Sequence, residues 1–420
     1  RTGMETGIDL LWEAGKQIVY RLIGHRVFKR REFDPQSVQE ISTHLLHLGY
    51  IYEFECEKWL ALCNTLKAIN LVEIDRMPTL EAVTYYFAAI LTQAKPLSYL
   101  GLAQRYIERG EVALAATGQN DLSYGHGLIV KAACASINGD WESAVHTVNR
   151  ARTFFSEHGA VRDVDNALGL QVHCEFLMGE WDLCYESAAF VYQSARQRRD
   201  LQATLGAFMW MLSQWVRRGE WEQVRAMLDD ASEHLAYPHS RSMIIWSGSV
   251  MGLAYCYLGE PELALKTAEP ALKIVKMKAP ISNWLHEPLS ALAELYLILW
   301  QQGDVACRTS AKSACHALIN MSSVFRVSQP CADVWQGLYC FLDKRHHHAG
   351  RYWRQALTKA RQYRTPYYEA LAHAYLAQLD SENSVEKQQH LTAAAQIFEN
   401  TGAVPGIPAF HSNFQKPPAE

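Results

Sequence analysis

Apolar residues recur at steps of three and four along "LQATLGAFMWMLSQWVRRGEW". Leu201, Leu205, Phe208, Leu212 and Val216 there share one face of a helix. Gly219 follows, and glycine tolerates the left-handed backbone on which helices commonly end. The next residue, Glu220, suits the positive end of a second helix's dipole. The pattern predicts a helix, a tight corner and an antiparallel helix.

The same punctuation returns along the chain. "GDWESA", "GEWDLC", "GEWEQV" and "GEPELA" begin at Gly139, Gly179, Gly219 and Gly259, each forty residues after the last. Trp141, Trp181, Trp221 and Pro261 take the third place, and a first-turn proline there loses no hydrogen bond. Five residues past each glycine stand Ala144, Cys184, Val224 and Ala264; twelve past stand Ala151, Val191, Ala231 and Ala271. These columns lie two turns apart on one face, where small side chains let neighbouring helices approach closely. The same step joins Ala61 to Ala68 and Ala349 to Ala356. Projected over the chain, corners fall near Cys56, Ser98, Gly139, Gly179, Gly219, Gly259, Gly303 and Lys344.

A period near forty belongs to arrays of helical hairpins, in which no pair buries its apolar face alone. The expectation is an all-α fold, an α-solenoid of eight or nine helix hairpins forming a tetratricopeptide-like superhelix over 36–402. Residues 1–35 read as a leading helix with a basic connector. Residues 403–420 carry four prolines and no period, and read as a disordered tail.

Composition narrows the classes. The chain has 420 residues, is 49% hydrophobic and carries a net charge of −4, which supports a large core and argues against a dedicated nucleic-acid surface. The basic cluster "GHRVFKRREF" would suit phosphate or an acidic partner, but it reads first as a solvated loop or helix end. Ten cysteines lie scattered in apolar runs without a CxxC pair, as reduced thiols do, so a cytoplasmic setting is expected. No run of eighteen apolar residues predicts a membrane span, and "RTGMETGIDLLWEAGK" has no signal-peptide core. A first residue of Arg suggests a piece of a longer chain.

Motifs for catalysis are missing. The one Gly-Lys pair, Gly15-Lys16, is followed by Gln17 and lacks the upstream glycine of a phosphate loop. No GxGxxG follows a strand and no HExxH occurs. "HLLH" offers His44 and His47 at metal-ligand spacing without a third ligand, and His346, His347 and His348 read as a solvated loop. Trp141, Trp181 and Trp221 recur in register, which suits an interhelix wedge better than a sugar platform. Glu180, Glu220 and Glu260 recur likewise, which suits helix capping better than acid–base catalysis. No catalytic, cofactor-binding or metal-binding residue is expected.

Four stretches narrow the reading further. "YEFECEKWLALCNTLKAINLVE" (52–73), "FRVSQPCADVWQGLYCFLDKRHHHAGRYWRQALTKARQY" (325–363), "TPYYEALAHAYLAQL" (365–379) and "HLTAAAQIFENTGA" (390–403) occur in this order. Together with the opening "LLWEAGKQIVYRLIGH" they resemble the C-terminal tetratricopeptide-like repeat region of soluble class III adenylate and guanylate cyclases. In that family cyclase domains precede a STAND-type ATPase module and then helical repeats; related ATPases lack the cyclase. The resemblance places the metal-binding aspartates, Walker loop and nucleotide pocket upstream, and no residue here matches them.

The implied function is a non-catalytic scaffold that binds a protein or the ATPase and cyclase domains of its own chain, with no nucleic acid and no cofactor. A small-ligand sensor solenoid is the second reading. An all-helical toroidal enzyme is the third; it would require a closed ring with two carboxylates facing each other across it.

Overall fold

The computed structural model describes residues 3–23, 34–75, 78–92, 101–117, 121–231, 240–278, 282–379 and 384–404. Among these residues there are nineteen α-helices and no strand. They are α1 (Gly3–Ile23), α2 (Pro35–Phe54), α3 (Lys58–Asp75), α4 (Pro78–Leu91), α5 (Leu102–Ala116), α6 (Leu122–Ile137), α7 (Trp141–Glu157), α8 (Val161–Met178), α9 (Trp181–Arg198) and α10 (Leu201–Arg218). There follow α11 (Trp221–Asp230), α12 (Arg241–Tyr257), α13 (Pro261–Met277), α14 (His286–Gln301), α15 (Cys307–Ser322), α16 (Gln329–Leu342), α17 (His346–Tyr363), α18 (Pro366–Leu376) and α19 (Val385–Thr401). The fold is an all-α solenoid. Neighbouring helices pack in pairs: α2 with α3, α4 with α5, α12 with α13, α14 with α15, α16 with α17 and α18 with α19.

Each described corner between the helices of a pair is left-handed. Gly139, Gly179, Gly219, Gly259 and Gly303 have φ of 76°, 75°, 70°, 80° and 112°; Cys56 and Lys344 adopt the same region at 57° and 61°. Ser98 lies outside the described residues. The backbone closes each turn in one way. The Gly219 N–H donates to Val216 O, and the Glu220 N–H reaches back to Trp215 O at 3.0 Å. Glu180, Glu260, Asp304 and Arg345 repeat that second bond to Glu175, Tyr255, Leu299 and Cys340. A second series of left-handed ends at Gly159, Arg199 and Arg364 turns the chain from one pair to the next, and Gly402 ends α19 in the same conformation. Arginine holds two of those places, so a search for periodic glycine does not find them.

The chain divides into two compact units. The first comprises residues 1–136, 141–167 and 280–282. In it α1 packs on α3 through a buried polar ladder. Gln17 Nε2 donates to Asn70 Oδ1 and to Glu73 Oε2, and Asn70 Nδ2 donates to Glu13 Oε2 at 2.7 Å. Glu73 also accepts from the Tyr85 hydroxyl and from Arg109. The basic connector after α1 lies outside the described residues.

The second unit comprises residues 137–140, 168–279 and 283–420. Its even-numbered helices form an inner layer, α10 against α12, α12 against α14, α14 against α16 and α16 against α18. All fourteen residues of α14 from His286 to Leu299 are buried. The odd-numbered helices cover this layer and bury one stripe each. Along α12 and α13 the pair closes tightly: a Cβ on Gly252 would lie 3.1 Å from both Ala264 O and Ala268 Cβ. Sequence-distant ends of the unit meet. The Val404 N–H donates to Arg217 O at 2.9 Å, the Trp181 and Tyr367 rings lie 5.8 Å apart, and Gly179 sits against Pro366 and Thr401.

Ala403 and Val404, placed by their sequence in a disordered tail, are described and hydrogen-bonded. The Ala403 N–H donates to Phe398 O at 3.0 Å. The remaining tail residues, 405–420, lie outside the described residues.

Candidate functional site

The residues that recur in register occupy helix starts and seams. Trp141, Trp181 and Trp221 each begin a helix, and Pro261 begins α13. Trp141 and Trp181 are buried and Trp221 half-buried. Trp181 Nε1 donates to Phe176 O at 3.1 Å, tying the end of α8 to the start of α9, and the Trp221 ring lies 5.5 Å from Tyr257. Ala144, Ala151, Ala264, Ala271, Ala349 and Ala356 are all fully buried.

The recurring acids behave differently from expectation. Glu180, Glu220 and Glu260 precede their helices, yet none caps by a side-chain hydrogen bond. Their ψ values of 62°, 69° and 65° are set by the tight corner. The residues that do cap, Asp34, Asp200, Ser240 and Ser384, have more extended ψ of 130°, 91°, 158° and 145°, which aims the side chain at the first-turn amides. Glu260 instead pairs with Arg225 at 2.5 Å.

The histidines also separate from their sequence reading. His346, His347 and His348 are not a loop but the exposed first turn of α17. His44 and His47 are exposed on α2, and His44 Nδ1 lies 2.6 Å from Glu40 O. Among the described residues no three His, Cys, Asp or Glu side chains gather as a metal ion would require. All ten cysteines are buried, and none is in a disulfide. No helix among the described residues is long and apolar enough to cross a membrane.

The inner layer of the second unit holds a polar centre that periodicity does not reveal. Arg217, on α10, is 2% exposed. Its Nη2 and Nε donate to Glu287 Oε1 at 2.7 and 3.1 Å; its Nη1 donates to Glu294 Oε2 at 2.5 Å and to the Tyr367 hydroxyl at 3.1 Å. Its guanidinium lies 5.0 Å from the Tyr367 ring centre. Tyr257 donates to the other oxygen of Glu294 and Tyr368 to the other oxygen of Glu287. His286 continues the chain, with Nδ1 2.7 Å from Ser328 Oγ and Nε2 3.2 Å from the Tyr368 hydroxyl, and Trp335 Nε1 donates to Ser290.

Charge balance decides the protonation of this centre. One guanidinium faces two carboxyls, so full ionisation would bury an unmatched negative charge. Burial pushes Glu287 up to about 7 against the pull of Arg217, with Glu294 adding to the rise. Burial also raises Glu294. Burial opposes the charge on Arg217, but Glu287 and Glu294 together hold its pKa well above the free value. Burial, then His173 and Arg217, keep His286 neutral, and burial alone lowers His173 to about 4. The two carboxyls lie on one helix, seven residues apart, both on one guanidinium. They do not face each other across a cleft.

Beside this centre the inner face is aromatic and polar. His173 lies against Trp210, Trp284 and His286, and Trp210 lies 5.0 Å from Trp246. Gln214, one turn after Trp210, is buried with both amide atoms unpartnered, as is Trp246 Nε1.

On the outer surface α17 stands apart. It contains Arg351, Arg354, Lys359 and Arg361 and no Asp or Glu. Ala349, Gly350, Trp353, Ala356, Ala360 and Tyr363 face inward, and Trp353 Nε1 donates to Val334 O. The opposite face forms a shallow depression of about 310 Å³ lined by Arg351, Arg354, Gln355, Thr358 and Lys359. No protein-family model matches the chain, and no curated protein matches it.

Proposed function

We propose that this chain is a non-catalytic helical-repeat scaffold, in which paired helices present their outer faces to a protein or to other domains of the same polypeptide. One observation carries the reading: the conspicuous ionisable groups of the second unit, Arg217, Glu287 and Glu294, are saturated by one another inside the helix stack. Such groups specify packing and leave recognition to the surface. The order of motifs shared with the repeat region of soluble nucleotide cyclases supports a place downstream of a STAND-type ATPase, with or without a cyclase. There the repeats would hold the ATPase closed or dock a partner, and nucleotide exchange would shift the balance. Deleting the repeats from the full-length polypeptide and measuring nucleotide turnover tests this; turnover that stays unchanged with and without partners rejects regulation.

A small-ligand sensor is the second reading, favoured by Gln214 and Trp246. Buried polar atoms without protein partners call for water or a polar ligand. A thermal-shift screen against nucleotides and sugars separates the readings, because a ligand of the folded state raises the melting temperature.

A further inference from the structure

From the α17 surface we infer that Arg351 and Arg354 form a docking site for an acidic protein segment. The inference rests on the reading of the chain as an interaction module and names the chemistry of its partner.

Residues 344–364 carry seven Lys or Arg and no Asp or Glu, in a chain whose net charge is −4. On two other outer helices signs are mixed: α13 carries Glu262 and Glu269 beside Lys266, Lys273 and Lys276, and α9 carries Asp182 and Glu186 beside Arg196 and Arg198; α15 also lacks acids but carries only Arg308 and Lys312. Cations at the margins of the α17 face are already neutralised. Lys359 pairs with Asp333 at 2.7 Å, Arg361 with Glu369 at 2.8 Å and Arg345 with Asp343 at 2.9 Å. Arg351 and Arg354 are exposed at the depression, and among the described residues neither forms an ion pair. Two guanidiniums one turn apart, flanked by the neutral donors Gln355 and Thr358, match two carboxylates spaced about 5–6 Å apart, as on neighbouring turns of a helix.

Other anionic partners fit less well. A membrane-surface helix inserts an apolar face, and the apolar face of α17 is already spent against the protein. Nucleic-acid interfaces are broad and strongly positive, whereas this face spans two helical turns on a chain of net negative charge. Charge complementarity at this scale suits a short acidic segment.

Fluorescence anisotropy of the whole chain with a short labelled glutamate-rich peptide tests the inference. The expected result is salt-sensitive binding that weakens at least about tenfold in the Arg351→Glu/Arg354→Glu chain, with no binding of the glutamine counterpart of the peptide. The milder Arg351→Gln/Arg354→Gln chain should fall in between, and matching circular dichroism and melting curves verify its fold. Equal peptide binding by wild type and both variants overturns the inference. So does tighter binding, through the same two arginines, of double-stranded DNA or of phosphatidylserine–phosphatidylcholine vesicles. The two readings fail separately. Unchanged peptide binding in the variants, with turnover still altered by deleting the repeats, sinks this site alone. Lost peptide binding with turnover indifferent to the deletion sinks the regulatory role alone.

Discussion

Arg217 stands two residues before a corner glycine, where a cation complements the negative end of its helix dipole and ordinarily reaches solvent. It is instead enclosed by α14 and α18, because its helix buries a second face beyond the apolar one. That face, Trp210, Gln214 and Arg217, follows the same helical spacing as Leu205, Phe208, Leu212 and Val216, but it is polar and aromatic. Apolar periodicity is blind to it. A signal did exist in "HEPLSALAELYLILW", where Glu287 and Glu294 stand two turns apart in an otherwise apolar helix and need a buried partner. Arg217→Ala leaves both carboxyls without their cation and should cost about 3–5 kcal/mol in urea unfolding. A loss below about 1 kcal/mol would show the centre to be hydrated. Glu287 supplies a pH signature. Its folded pKa, raised to about 7, makes the native state hold a proton that the unfolded chain releases near the ordinary carboxyl value. Its contribution is full below that value and is lost as pH climbs through about 7. His173, lowered to about 4, acts oppositely: its contribution is full above the ordinary histidine value and is lost as pH falls toward about 4. The difference in unfolding free energy between Glu287→Gln and wild type isolates the first group. It should grow in favour of the variant as pH rises from about 4.5 to 7, with a slope of at most about 1.4 kcal/mol per pH unit.

At the level of the helix pair much was legible. The interval of forty residues marks real corners because a left-handed residue ends each first helix, and where glycine fills it the position announces itself. Even Cys56 and Lys344, which carry no glycine signal, fall in register and adopt the same conformation. The second series, with Arg199 and Arg364, was illegible for the converse reason. The backbone geometry is the same, but the side chain hides it. The acids at helix starts have the sequence signature of caps, and the corner geometry, which sequence does not specify, turns them away. These contrasts make a matched test. Gly219→Ala puts a Cβ on a left-handed residue and 3.0 Å from Val404 Cγ2, and should destabilise by about 1–2 kcal/mol. Arg199→Gly removes the same strain at φ 59° and should stabilise by about 0.5–1 kcal/mol. Chemical denaturation of the two variants reads both signs; a shift of the same direction in both would mean that side-chain contacts, rather than backbone conformation, govern the corners.

For the molecule as a whole, repeat periodicity carries information about nearest neighbours only. In an open array each pair contacts the next, and removing a terminal pair perturbs its neighbour and little else. The second unit departs from that rule. Val404 donates to Arg217, Tyr367 meets both Arg217 and Trp181, and Thr401 lies against Gly179, so the last pair packs on the Gly179–Gly219 region at least 150 residues earlier in the chain. No sequence period encodes such a contact, since the residues making it belong to different repeats and to different columns of the repeat. The consequence is measurable by hydrogen exchange. Truncation after Arg364 removes α18 and α19, and amide protection should fall along α10 and at the Gly179 and Gly219 corners, as well as in adjoining α16 and α17. An array without closure would lose protection in α16 and α17 alone. Loss at both places would also explain why an arginine with two carboxyls is tolerated so deep in the stack: its third partner, Tyr367, arrives only when the last pair has folded back.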